Sequence, residues 1–198
     1  IQALKAATMA GSTHPNLEQA VQKSIMFLKT QSYAQNGSGF VYSGEPGKPT
    51  PQGGTWTMTG VGTLCLQLLG HANDAETKQG LLVLEPRTCV WPPPSKDGKG
   101  GPAFYGWYYV TQAKFQKGDA TWTAWNNQFN KQFVDNQVKE DDGCGYWPQG
   151  DHGGPVYATC LATLTLEVYY RYLPTYKKAE EVETVTATAT DDIKIEIL

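Results

Sequence analysis

Phe27-Leu28-Lys29-Thr30-Gln31, followed by Gly37-Ser38-Gly39-Phe40, is answered 106 residues later by Phe133-Val134-Asp135-Asn136-Gln137, followed by Gly143-Cys144-Gly145-Tyr146-Trp147 (133 − 27 = 106). In each stretch an aromatic–apolar pair precedes a Gln. Eight positions after that Gln comes a Gly with an aromatic behind it (39 − 31 = 145 − 137 = 8). A spacing kept over two such stretches points to an internal repeat, and a repeat constrains architecture before any single residue is interpreted. Thr59, Thr111 and Thr159, each expected near the start of an apolar helix, supply a second anchor. They are 52 and 48 residues apart (111 − 59, 159 − 111), so the 106-residue offset spans two units of roughly 50 residues.

Outward from these anchors the chain reads as helical throughout. Leu17, Val21, Ile25 and Leu28 recur at helical spacing and predict an amphipathic helix over 16–31. Asp74 is a favourable N-cap for a helix over 74–84. In 119–137, Trp122, Trp125, Phe129 and Phe133 fall three or four apart on one face. The segments 1–10, 57–69, 103–116 and 155–172 are apolar, aromatic or small on most sides, and Pro155 suits a first helical turn. Crowded and amphipathic helices thus alternate, which predicts an inner layer of walled-in helices and an outer, half-wet one. The 21 Gly and 12 Pro concentrate in the loops 37–54, 92–102 and 143–154, which is turn chemistry.

Composition narrows the function classes. A net charge of −3 and the lack of a basic stripe give no footprint for nucleic acid. No apolar run reaches the roughly 18–20 residues of a membrane span. Of four cysteines, Cys65 and Cys160 fall in apolar helical runs and read as small core residues. From 179 to 198 the sequence changes character: Thr or Glu alternates with Val, Ala or Ile, which reads either as an acidic extended linker or as an edge strand. The expected organisation is a helical domain over 1–178, starting in mid-unit, and this tail.

The paired motifs, Asp142-Gly143-Cys144-Gly145-Tyr146-Trp147, Tyr157-Ala158-Thr159-Cys160-Leu161 and Trp107-Tyr108-Tyr109-Val110-Thr111-Gln112-Ala113 carry a resemblance. Over about residues 1–177 the chain resembles the prenyltransferase and squalene-oxidase repeat proteins. That superfamily contains the squalene–hopene cyclases and the protein prenyltransferase β subunits, and the stretch from Trp107 to Ala113 looks most like its uncharacterised bacterial members. The resemblance implies an all-α fold, an α/α toroid of helical hairpins, of which this chain supplies about half a ring. The remainder of the toroid, or another protein chain, would then cap the open ends.

Chemistry does not carry over with the fold. Cyclases of this kind protonate substrate with an Asp-x-Asp-Asp-Thr-Ala motif, but Thr59, Thr111 and Thr159 are preceded by Thr57-Met58, Tyr109-Val110 and Tyr157-Ala158, none of them carboxylates. Protein prenyltransferases bind zinc through Asp-x-Cys and a later His. Asp142-Gly143-Cys144 resembles the first part, whereas Ala158 stands where the His would be. Asp142, Cys144 and His152, with Cys160, are the metal candidates, at spacings of eight and eight that match no recognised zinc site. The expectation is therefore no cofactor. A Gly-rich turn with Cys144 packed inside explains the segment better. His14 and His71 read as solvated.

Aromatic residues are the remaining candidates. Trp56, Tyr105, Trp107, Tyr108 and Tyr157 fall at the starts of crowded helices and are expected to line a pocket suited to an isoprenoid or lipid. The leading expectation is a degenerate cyclase- or prenyltransferase-like toroid acting as a binding or interaction module. The alternatives are an isoprenoid cyclase or prenyltransferase with its catalytic acids outside this chain, and a structural component of a larger assembly.

Overall fold

The computed structural model describes residues 1–42, 53–93, 101–141, 143–148 and 153–170. They form α1 (Gln2–Met9), α2 (Leu17–Phe27), α3 (Trp56–Leu68), α4 (Ala75–Leu84), α5 (Phe104–Lys117), α6 (Asp119–Asp135) and α7 (Pro155–Leu166). Between α6 and α7 lie two short antiparallel strands, β1 (Val138–Lys139) and β2 (Gly145–Tyr146), with Val138 opposite Tyr146. This short hairpin lies between expected helices, and the described residues are mostly helical, in keeping with the all-α reading. Gly143, at φ 83°, turns the chain back, and its N–H reaches the Glu140 carbonyl at 3.1 Å. Three helix ends differ from the sequence reading. The helix beginning at Leu17 finishes in a π turn, Leu28–Ser32. The α6 helix stops at Asp135, and α7 gives way to a 3₁₀ turn over Glu167–Tyr169. The tail from 179 lies outside the described residues.

Helix α3 starts because the Thr55 hydroxyl accepts the Met58 N–H at 3.2 Å, and it ends at Gly70 (φ 86°). It runs parallel to α5, and small residues bring the two together. A Cβ at Gly60 would stand 3.0 Å from Val110 Cγ2, and one at Gly106 would stand 2.2 Å from Trp56 Cη2. Farther along, Gln67 Nε2 donates to the Ala113 carbonyl at 3.1 Å. The next crowded helix, α7, packs on the other side of α5. Outside this row, α4 lies on α3, with Gly80 against the Thr63 hydroxyl. On α5 lies α6, whose Trp125 Nε1–H donates to Thr111 Oγ1 at 2.8 Å. Among the described residues no helix is long and apolar enough to cross a membrane.

The main core joins α3 to α7 and contains Phe104, Trp125, Phe129 and Phe133, each at most 1 % exposed. A smaller core under α1 and α2 is built on Ile25, Leu28, Phe40 and Leu66. The amphipathic reading of α6 holds: Trp125, Phe129 and Phe133 are buried on one face. The expected crowding holds for α3 and α5 and fails at the flanks. Helix α1 has no buried residue, and its main packing among the described residues is on α2 and α3. Helix α7 buries Ala158, Ala162 and Thr165 against α5 and leaves Val156 and Cys160 in solvent. Cys160 is therefore not a core residue. Cys144, in the turn before β2, is exposed rather than packed.

The threonine anchors divide into two kinds. Thr59 Oγ1 accepts the Phe40 N–H at 3.1 Å, and Thr159 Oγ1 accepts the Trp147 N–H at the same distance. One ties the aromatic of the first Gly–aromatic pair, and the other the residue just after the second pair, to the first turns of the following helix. Thr111 is not near a helix start. It is the eighth residue of α5, as Thr63 is of α3, and both hydroxyls face the outer helix. The apolar pairs also slip by one residue: Leu28 and Phe133 are buried, while Phe27 and Val134 are about half exposed.

Thr59→Val keeps the shape and removes the acceptor for a buried N–H. It is expected to cost about 1–3 kcal/mol in urea unfolding, and Thr159→Val a similar amount. Ser24→Val, which loses a hydroxyl bonded only to the Ala20 carbonyl one turn back in α2, should cost less than either.

Candidate functional site

After α4 the chain cannot continue as helix. Pro86 and Pro92 fix their own φ and lack N–H donors, so the stretch between them runs as an irregular strap beside α3, α5 and α6. Three contacts hold it. Cys89, 1 % exposed, plugs into the main core. Trp91 N–H donates to Gln132 Oε1 of α6 at 2.7 Å. At the near end, Lys114 Nζ of α5 donates to the Arg87 carbonyl at 3.2 Å.

Between this strap and the starts of α3 and α5 lies an open cleft of about 320 Å³. Trp56, from the first turn of α3, forms one side and rests over Gly106. Trp107, from the first turn of α5, forms the floor. Pro86, Val90 and Pro92 come from the strap. Arg87 is the charged residue of the lining. The volume is at the small end of ligand sites, and two indoles flanked by proline and valine suit an apolar body.

Of the expected pocket residues, Trp56 and Trp107 come together here. Tyr105 and Tyr108 turn elsewhere and pack edge-on against Tyr109, each with ring centroids 4.9 Å from it. Burial holds the Tyr109 phenol far above its ordinary range, with the neighbouring Tyr105 adding to the effect. Tyr157 lies against Gly153, where a Cβ would meet its ring at 2.8 Å. Asp142 and His152 lie outside the described residues. Among those described, no group of three His, Cys, Asp or Glu side chains is placed to hold a metal ion.

Two polar groups went unnoticed in the sequence. One is Lys114, which burial pushes down to about 8 from an ordinary 10.5. A lysine three residues after Thr111, in a helix already read as walled in, was the signal for it. The other is a polar knot at the start of α4. Asp74 Oδ2 bonds both Lys29 Nζ and His71 Nδ1, the latter at 2.6 Å, and Glu76 stands 3.9 Å from Lys29. His71 is thus hydrogen-bonded to Asp74 rather than simply solvated. Asp74 occupies the N-cap position without capping, because its carboxylate is engaged by these two partners. Exposed His14 bonds locally to the Asn16 N–H.

With this geometry in view, comparison with family models, with curated proteins and with solved structures returned no match.

The Asp74 carboxyl is held below its ordinary value, first by the Lys29 bond and then by the His71 bond. A depressed carboxyl contributes stability above its unfolded value of about 3.9 and loses it as pH falls through the folded value. Asp74→Asn should therefore lower stability at neutral pH by about 0.5–1 kcal/mol, since the pair is partly exposed. The variant's melting temperature should also lose the part of the acid decline that Asp74 contributes below about pH 4. Parallel declines in both proteins would refute the assignment.

Proposed function

We propose that the chain is a degenerate relative of the prenyltransferase and squalene-cyclase repeat proteins, part of an α/α toroid. In this reading it is a binding module that holds an isoprenoid or other lipid chain against Trp56 and Trp107. The parallel α3 and α5 and their outer helices support the toroidal part, as do the matching bonds at Thr59 and Thr159. The observation that carries the functional part is the lining of the cleft: two indoles with Pro86, Val90 and Pro92, and Arg87 and Thr88 beside them. Such a site grips an apolar chain. An acid that starts a cyclisation, by contrast, needs a carboxyl aimed into the cavity.

One feature favours the assembly reading in addition. Helix α7 is apolar around its circumference, yet Val156 is 78 % exposed and Cys160 is open to solvent. A helix of that composition is normally covered on most sides, which fits a further helical unit or partner chain packing there.

Farnesol, titrated calorimetrically, should bind the protein. Trp56→Ala should weaken it about tenfold or more, the loss expected on truncating an aromatic anchor. Val90→Asp, at a position 64 % exposed, should weaken it without affecting the melting temperature. Binding unchanged in both variants would place the ligand elsewhere, and no binding at all would remove the lipid reading.

A further inference from the structure

Lys114 is buried at 4 % exposure beneath the strap that walls the cleft. An ammonium carries three donors. In the described structure it uses one of them on the Arg87 carbonyl, and it lies 4.4 Å from the centre of the Trp125 ring. No carboxylate forms an ion pair with it among the described residues. The charged groups around it are few. Glu85, at the end of α4, acts on it through space; Arg87 belongs to the strap itself; α6 presents the uncharged Trp125 ring. A carbonyl and a ring face compensate an ammonium only in part for lost water.

We propose that the strap from Pro86 to Pro92 is the moving side of the cleft, and that a proton on Lys114 drives it open. Lifting the strap off α5 releases the ammonium to water and draws Cys89 out of the core, while the Trp91–Gln132 bond holds the far end. The inference rests on the cleft being the binding site, and it supplies the regulation of that site.

The sign follows from linkage. Lys114 binds its proton less readily when covered, where it is pushed down to about 8, than when solvated at about 10.4. Protonation therefore favours the open strap. The drive is full below the covered value and fades as pH rises through the solvated one. A ligand gripped by the closed strap should bind more tightly over that range.

Cys89 reports the strap directly. In the full chain carrying Cys144→Ser and Cys160→Ser, which removes the exposed thiols, iodoacetamide can reach Cys89 only when the strap lifts. Cys65, buried in α3 away from the strap, reports general opening. At about pH 7, Lys114→Met should slow alkylation of Cys89 about tenfold or more and leave Cys65 unchanged. Lys114→Arg, charged at every working pH, should keep Cys89 fast. Without any change at Lys114, the ratio of Cys89 to Cys65 alkylation should fall as pH rises from about 7 to about 10. Each thiol reacts only once it is uncovered and meets water, where both have the same ordinary value, so the thiolate fraction nearly cancels from that ratio.

Equal or faster Cys89 alkylation in Lys114→Met, or a ratio independent of pH, would overturn the proposal. Because the readout uses no ligand, its failure is distinct from a failure of farnesol to bind.

Discussion

The hydroxyl of Thr59 sets the position of much else. It accepts the Phe40 N–H and donates to the Thr55 carbonyl at 2.7 Å, so one side chain joins an incoming loop to the first turn of α3. Gly39 makes this possible: at φ 102°, a Cβ there would stand 2.0 Å from the Thr59 oxygen. The same loop reaches forward. Ser38 Oγ accepts the Gly54 N–H, and the Phe40 carbonyl accepts the Thr55 N–H at 3.0 Å. Thr55 is thereby fixed as the N-cap, and Trp56 follows it as the first residue of the helix. The indole that flanks the cleft is placed by hydrogen bonds that reach back as far as Ser38, eighteen residues earlier in the chain (56 − 38).

Absent side chains do as much as present ones. Gly62 and Gly80 leave the space that the Phe40 ring occupies, and a Cβ at Gly62 would overlap it at 2.3 Å. Gly60 and Gly106 let α3 and α5 approach closely enough for Trp56 to lie across α5. Burying Phe40 completely is worth about 1.5–3 kcal/mol and depends on those small neighbours. Packing at such density transmits position well. The spacing of Trp56 and Trp107 across the cleft follows from helix contacts well below it.

The helices were legible because periodicity and capping are local. The starts of α4, α6 and α7 at Asp74, Asp119 and Pro155 were readable from turn chemistry to within a residue. What could not be read was which threonine faced which neighbour. Thr59 and Thr111 look alike in sequence, but only the packing of α4 and α6 shows that Thr111 matches Thr63. Crowding at α1 and α7 was misjudged for a related reason: an apolar composition states what a helix can bury, not what is present to bury it. At the site, the two tryptophans were found from their place at helix starts. The strap was missed because Pro92 read only as the start of a turn-rich loop and Pro86 was not singled out, although the residues between them form the opposite wall.

A buried lysine in a helix of aromatics is costly to keep. Replacing such a group by an apolar one of similar size is often neutral or stabilising. Methionine at 114 would fill the same space against Trp125 and would carry no charge to dehydrate. What methionine could not do is donate to the Arg87 carbonyl, or make the fit between α5 and the strap depend on a proton. Gln132 already anchors the strap's other end with a neutral amide, so attachment alone does not need an ammonium. The asymmetry between the two ties, one charged and one neutral, makes the Arg87 end of the strap the one that can yield.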